Sequence, residues 1–475
     1  MTGPSDLHIR LSARGGLARQ IYRQIRAAIH SGRLNRGDRL PPTRELAQRL
    51  DVSRNTVSLA YEWLAAEGLL SGHRSGGTIV ESDPVARNAA REKRSSIRSR
   101  GVWDDIVVPR NRDFHPRFDF GVGMPDVMRF PFDVWRRLLA RQVRASRMRG
   151  DYGDPAGHPR LRAAIARSIA ISRGVVASAE DVIVTNGAQG AFDLIARVLL
   201  EPGMRAAVEE PGYPPPRMLF ESYGARIAAV RVDDSGLDVA ALPPDARLIY
   251  VTPSHQFPLG MPMSHTRRIA LLDWAERRNA VIIEDDYDSE FRFGGRPLDT
   301  LQAMDRSGRV IYVGSFSKSL LPSLRLGFLI APPALRDALE AAAYVASWYP
   351  QWPAQAALAS MIDEGLLARH VRKMRREYAA RHERILRKLD WLTPIASVTG
   401  MHIAARVRSL RVEAEVAQSA LANSVGFDRL STYCSGTPRQ PGIVLGYGGI
   451  STAKIDEGID RLRRCFENPR YDDLG

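Results

Sequence analysis

Lys318 is the side chain best suited to covalent chemistry. It stands in the stretch Ser315-Phe316-Ser317-Lys318-Ser319-Leu320-Leu321-Pro322-Ser323-Leu324-Arg325-Leu326-Gly327. Apolar runs flank it, Val310-Ile311-Tyr312-Val313 before and Phe328-Leu329-Ile330-Ala331 after. Their length and β-branching predict two buried strands. Of 68 lysines and arginines only five are lysines: Lys93, Lys318, Lys373, Lys388 and Lys454. Where charge alone is wanted the chain uses arginine, so a lysine here points to its primary amine. An amine condenses with an aldehyde to a Schiff base; a guanidinium does not. A water-exposed loop lysine is the plain alternative. The hydroxyls of Ser315 and Ser317 and the guanidinium of Arg325 argue against it, because they form an anion-binding set beside the amine.

Two further stretches offer partners. Val182-Ile183-Val184-Thr185 predicts a strand, and Asn186-Gly187-Ala188-Gln189-Gly190 a tight turn into a helix over 191–200. The free backbone N–H groups of such a turn suit a phosphate, the same ligand that Ser315, Ser317 and Arg325 would take. Val281-Ile282-Ile283-Glu284 predicts a buried strand running into Asp285-Asp286-Tyr287-Asp288-Ser289-Glu290-Phe291. If the strand continues, Asp285 and Tyr287 share one face. That pair suits a carboxylate on a protonated ring nitrogen and a phenol on the neighbouring ring oxygen, the carboxylate preserving the ring's capacity to draw off electrons. Asp286 takes the place of Asp285 if the register slips by one. Residues 284–290 hold five carboxylates, so a solvated acidic loop competes with both.

The Ser-x-Ser-Lys-x-x-x-Pro-x-x-Arg-x-Gly spacing resembles the lysine loop of the fold-type I pyridoxal-phosphate enzymes, the aspartate aminotransferase superfamily. The resemblance implies pyridoxal 5'-phosphate (PLP) as cofactor. Lys318 would hold its aldehyde, and Ser315, Ser317, Arg325 and the Gly187, Ala188, Gln189 turn its phosphate. Asp285 and Tyr287 would meet the ring. Tyr213, in Glu210-Pro211-Gly212-Tyr213-Pro214, matches the aromatic that stacks on the pyridine. Tyr152, in Asp151-Tyr152-Gly153-Asp154-Pro155-Ala156-Gly157, matches a tyrosine that reaches the neighbouring subunit's phosphate, which implies a homodimer.

Two positions depart from the pattern. Aminotransferases place an asparagine on the ring hydroxyl where this chain has Phe257, leaving Gln256 or His255 as replacements. They also clamp the substrate carboxylate with an arginine in a bidentate pair. Val444 stands there, in Gly442-Ile443-Val444-Leu445-Gly446-Tyr447, leaving Arg217 or His402 as replacements.

The elements that must position these residues alternate strand and helix, as in a mostly parallel sheet with helices on both faces and a smaller C-terminal α+β part. The fold class is α/β, over 115–475. Residues 1–82 read differently. Leu17, Ile21, Ile25 and Ile29 predict a helix over 17–31 ended by Gly32. Pro42 and Thr43 open a second helix with Leu46, Ala47 and Leu50 inward, and Ser53 caps a third with Val57, Tyr61 and Leu64 buried. Gly68 ends it, and a hairpin follows through His73-Arg74-Ser75-Gly76-Gly77. Two short helices and a β-wing make a winged helix-turn-helix, with Arg54, Asn55 and Thr56 in the first turn of the helix that would meet base edges. Leu40 to Ala47, Val52 to Val57 and Glu67 to Leu69 resemble the GntR-type domain. By that resemblance Arg44, Ser53, Arg54, Asn55, Thr56 and Arg74 contact double-stranded DNA. Ser58 stands where the family often has arginine.

The chain has 475 residues, 44% hydrophobic and 25% charged, values typical of globular proteins. It has no apolar run of membrane-spanning length and no secretory signal. Its two cysteines form no framework, which fits a reducing cytoplasm. Residues 1–112 hold 20 basic and 11 acidic side chains, +9 of the total +15, and that asymmetry suggests a polyanion bound at this end. An arginine-rich coding bias would spread the excess more evenly. Residues 83–114 lack periodicity and read as a basic tether.

This order of parts is identified as that of the MocR-type regulators. Membership implies a cytoplasmic, PLP-binding transcriptional regulator, commonly a domain-swapped head-to-tail homodimer on a promoter operator. It senses PLP itself or a small amine or amino acid through the Schiff base. The alternative is an active aminotransferase with a DNA-binding arm. The missing carboxylate arginine favours sensing over turnover.

Overall fold

The computed structural model describes residues 9, 11, 16–73, 77–81, 98–104, 106, 116–146, 150–294, 299–348, 351–397, 399–436 and 440–467. They divide into two compact units, Met1–Arg100 and Gly101–Gly475. Most of the expected tether, 83–114, lies outside the described residues, as does Arg74. The described part of the tether includes a 3-10 turn, Gly101–Trp103, in the second unit.

The first unit is a winged helix-turn-helix. Helix α1 spans Leu17–His30, α2 Thr43–Leu50 and α3 Arg54–Ala66. Ile21, Ile25 and Ile29 of α1 are fully buried, whereas Leu17, first in the repeat, is exposed. Pro42 precedes α2, and Asp51 ends it in the left-handed conformation. Ser53 then caps α3 by accepting from the Thr56 N–H at 3.2 Å. Val57, Tyr61 and Leu64 pack against α1 and α2 in one core, and the Tyr61 hydroxyl donates to the Pro41 carbonyl at 2.9 Å. Strands β2 (Leu70–His73) and β3 (Gly77–Val80) form the wing hairpin. A two-residue strand β1, Arg39–Leu40, pairs with β3 and completes a three-stranded sheet. Two residues carry no period, so β1 leaves no sequence signal.

In the second unit β4 is Phe118–Asp119 and β5 Val182–Thr185. Next come β6 (Arg205–Glu210), β7 (Arg226–Asp233), β8 (Gly236–Leu237) and β9 (Ala246–Val251). Then follow β10 (Val281–Asp286), β11 (Val310–Ser315) and β12 (Gly327–Ile330). They form an eight-stranded sheet ordered β5-β12-β11-β10-β9-β6-β7-β8. From β11 to β7 every neighbouring pair is parallel. Strand β12 runs antiparallel to both β11 and β5, so the sheet is mixed. Every residue of β5, β11 and β12 is buried, as expected of strands covered on both faces. A smaller antiparallel sheet follows: β13 (Thr393–Pro394), β14 (His402–Arg406), β17 (Gly442–Gly446) and β16 (Asp428–Arg429), in that order. β4, from the start of the domain, pairs with Val425–Gly426, and Phe118 and Phe120 join the core of this C-terminal part.

Two expected boundaries move. The helix after β5 starts at Gly187 rather than 191, and β10 runs on to Asp286 rather than ending at 284. The first difference matters for the site, because it puts helix N–H groups at Gly187–Gln189. Strand β12 reaches that turn closely: a Cβ on Gly327 would lie 2.6 Å from the Gly187 carbonyl carbon and 3.0 Å from the Ala188 nitrogen. Neither backbone can yield easily. Gly327→Ala is therefore expected to cost about 1–3 kcal/mol of stability, the usual range for overpacking. It should also weaken PLP binding, read by denaturant melts and by titration of absorbance with PLP. Unchanged values for both would show that this approach is not required.

Candidate functional site

A cavity of about 360 Å³ opens at the C-terminal ends of β9, β10 and β11, where open α/β sheets bind ligands. Lys318 faces it from the loop after β11. Its Nζ donates to the Gly123 carbonyl at 2.7 Å. Burial lowers its pKa, while the nearby carboxylates of Asp288 and Asp285 pull the other way. The result is a larger share of neutral, nucleophilic amine than an exposed lysine has. Gly123 has φ of +81°, and a Cβ there would meet Nζ at 2.9 Å, so the glycine makes room for the amine. Gly123 lies 195 residues from Lys318, and no motif announced it.

Asp285 sits on the cavity floor at 4% exposure. Its Oδ2 accepts from the Tyr250 hydroxyl at 2.6 Å, and its Oδ1 has no partner. Burial pushes its pKa up to about 7, with the Tyr250 bond pulling down. An orphaned carboxylate oxygen aimed into a cavity opposite a lysine fits a group with a cationic N–H, such as the protonated ring nitrogen of PLP. Asp286 points elsewhere. It pairs with Arg173 at 2.7 Å and accepts from the Tyr312 hydroxyl at 2.6 Å. The strand therefore persists far enough for Asp285 and Tyr287 to share the cavity side, and the acidic stretch is buried rather than solvated.

Tyr287 donates to the His255 carbonyl at 2.9 Å. Its hydroxyl also lies 3.0 Å from His255 Nδ1, which is itself 3.0 Å from both carboxylate oxygens of Asp288. A Cβ on Gly400 would collide with the His255 ring at 1.9 Å. Of the two candidates for the missing asparagine, Gln256 is excluded by its bonds. Its side-chain amide donates to the Glu209 carboxylate and to the carbonyls of Pro211 and Phe257, away from the cavity. His255 stands behind Tyr287, and Phe257 itself lines the cavity. Asp288 had no assigned part in the sequence reading; its signal was only its place in the acidic run.

Ser315 and Ser317 share a hydrogen bond between hydroxyls at 3.0 Å, and both line the cavity. Arg325 adopts φ of +50° and donates to the Asn186 carbonyl at 2.8 Å. A Cβ on Gly187 would meet its guanidinium at 2.9 Å, so Gly187 shapes the pocket from behind while Ala188 and Gln189 line it. Serine hydroxyls, a guanidinium and a helix N-terminus thus converge, a donor set that fits a phosphate. Tyr213 lines the cavity edge-on to Phe257. Tyr152 does not line it; it is 69% exposed and packs edge-on against Trp348.

Neither replacement for the carboxylate arginine supplies a cation. Val444 is fully buried among Leu259, Ala404 and Leu430. Arg217 pairs with Glu221 at 3.3 Å and does not line the cavity. His402 does line it, but its Nε2 lies 3.0 Å from the Pro258 carbonyl and burial holds its pKa well below the ordinary range.

In the first unit Arg44, Arg54 and Asn55 are exposed on α2 and α3. Arg54 reaches Thr43 at 3.4 Å, and the hydroxyls of Ser53 and Thr56 lie 2.8 Å apart, so both take part in the cap as well as facing outward.

Residues 17–80 match the model of the bacterial regulatory proteins of the gntR family, and 116–462 that of the class I and II aminotransferases. The chain is 43% identical over 461 residues to a probable rhizopine catabolism regulatory protein, MocR, of Rhizobium meliloti, covering 94% of this chain and 93% of that one. It is 34% identical to a pyridoxine biosynthesis transcriptional regulator, PdxR, of Corynebacterium glutamicum, over 90% and 91% of the two chains. Among solved structures it resembles LysN of Thermus thermophilus, an α-aminoadipate aminotransferase complexed with N-(5'-phosphopyridoxyl)-L-leucine. That match has a TM-score of 0.68 and 27% identity and covers 74% of this chain and 92% of the other. A helix-turn-helix head joined to a fold-type I aminotransferase domain defines a class of transcriptional regulator that binds PLP. The chain belongs to its MocR-type, GntR-family members.

Lys318→Ala should abolish the absorbance near ~420 nm expected of a lysine-bound PLP; an unchanged spectrum removes Lys318 from that role. Asp285 gives a pH test. An unfolded aspartate titrates near 3.9, so a folded value of about 7 means the folded chain keeps a proton that the unfolded chain releases. This group's contribution to stability is full below about pH 4 and lost as pH rises to about 7. In cofactor-free protein, Asp285→Asn should flatten the fall of melting temperature across that window. An identical pH profile would contradict the assignment.

Proposed function

We propose that the protein is a promoter-binding regulator whose aminotransferase-like domain senses rather than turns over. Residues 1–82 grip DNA through Arg44, Arg54 and Asn55, with Ser53, Thr56 and Arg74. Residues 83–114 tether this head to the sensor, 115–475. The observation that carries the reading is Val444, buried among apolar side chains where a turnover enzyme of this fold needs a cation. Without charge-assisted hydrogen bonds, worth about 1.5–3 kcal/mol each, an amino acid is neither held nor oriented.

In this reading Ser315, Ser317, Arg325 and the Gly187-Ala188-Gln189 turn hold the phosphate. Asp285 holds the ring nitrogen, Tyr287 faces the ring oxygen and Tyr213 covers the ring. Bound there, PLP supplies an aldehyde that condenses reversibly with a primary amine, whose two hydrogens pass to Lys318 as that side chain lets go. Lys318 then loses its tie to the ring, and its amine is free to return to the Gly123 carbonyl. The exposed aromatic row Tyr152, Trp348 and Tyr344 supports a homodimer, exchanged head to tail, in which Tyr152 completes the partner's phosphate site. A chain working on promoter DNA works in the cytoplasm.

The lowered pKa of Lys318 would equally serve an aminotransferase, so the rate decides. Steady-state amino transfer to a keto acid should stay well below ~1 per second, the low end of ordinary turnover; a faster rate overturns the sensor reading. Titrating operator binding with PLP alone, then with amines, separates the cofactor as signal from the amine as signal. Arg54→Ala should weaken operator binding by about 1–3 kcal/mol if Arg54 reads a base. Equal loss on all sequences makes it a phosphate contact.

A further inference from the structure

We propose that the effector of this domain is a small primary amine bearing hydroxyl groups and no carboxylate. The inference rests on the PLP reading of the cavity and deepens it. Among the described residues lining the cavity, the only cations are Lys318 and Arg325. Lys318 is the group an amine displaces. Arg325 is turned to the phosphate end, where it donates to the Asn186 carbonyl behind the Gly187 turn. His402 stands on the wall as a neutral ring with one nitrogen held at the Pro258 carbonyl. No cation remains for a second anionic group.

The carboxylates point the same way. Asp285 and Asp288 both line the cavity and are nearly fully buried, at 4% and 2% exposure. Charges of one sign set in low-dielectric walls favour an arriving ammonium and oppose a carboxylate. The rest of the wall that an effector would touch is neutral: Met124, Phe257, Met401 and Tyr433, with His402 and Gln189 as uncharged polar partners. Such groups hydrogen-bond hydroxyls without asking for charge. The volume, about 360 Å³ for cofactor and effector together, keeps the effector small.

The test uses full-length protein loaded with PLP and freed of excess, in whatever assembly it forms, so that any cation another chain contributes is present. Matched pairs differing only in the carboxylate serve as probes: 2-amino-1-propanol against alanine, and serinol against serine. Binding is read by calorimetry and by loss of the ~420 nm band. The amino alcohol of each pair is expected to bind at least about tenfold more tightly. Equal binding, a preference for the amino acids, or indifference to all four compounds while the band is present overturns this inference and leaves the PLP reading standing. A protein that never forms the band fails the PLP reading, and this inference falls with it.

Discussion

A buried carboxylate with one oxygen unanswered governs this domain. Asp285 gives Oδ2 to Tyr250 and leaves Oδ1 facing the cavity without a partner. An unpaired charge in such a place costs several kcal/mol, and the chain meets that cost near neutrality by holding a proton, the meaning of a pKa near 7. A cationic ring nitrogen settles the same imbalance from outside. The site is thus built incomplete, and what completes it is a ligand of defined charge and shape. Its floor is correspondingly rigid. Tyr250 comes from β9 and Asp285 from the adjoining β10, paired in parallel. Asp286, one residue on, is locked to Arg173 and Tyr312 on the other side.

The remaining parts converge from distant stretches because the sheet brings strand ends together. Ser315 ends β11, Gly327 opens β12, and the phosphate turn follows β5, the strand on the far side of β12. Antiparallel β12 carries the chain from the lysine loop back past the turn. The Gly327–Gly187 approach is where the two halves of the phosphate end meet. A second junction lies behind Tyr287. There His255, Asp288 and the glycine at 400 connect the floor to the chain entering β14 of the smaller sheet. A change at the ring oxygen therefore has a packed route into the C-terminal part.

Much of this was legible in the sequence because its signals are local. The lysine loop, the glycine turn after β5 and the alternation at Asp285 and Tyr287 are each contained within about a dozen residues. The helices of the head announced themselves by period, cap and breaker. What sequence left open depends on tertiary direction. Gln256 and His255 are neighbours in the chain, and only the fold turns the first toward Glu209 and the second behind Tyr287. Gly123 touches Lys318 across nearly two hundred residues. Strand β1 is too short to show a period, and it exists because β3 offers it a partner.

The central claim is that ligand in one unit alters DNA grip in the other. Such a coupling is reciprocal by thermodynamic necessity: the factor by which an amine changes operator affinity equals the factor by which operator changes amine affinity. The direct measurement is operator affinity of the PLP-loaded protein with and without saturating amine, beside amine affinity with and without saturating operator. The account predicts one shared factor, in the range of about 5–150-fold typical of allosteric proteins. Operator affinity that is the same with no PLP, with PLP and with PLP plus amine would contradict it.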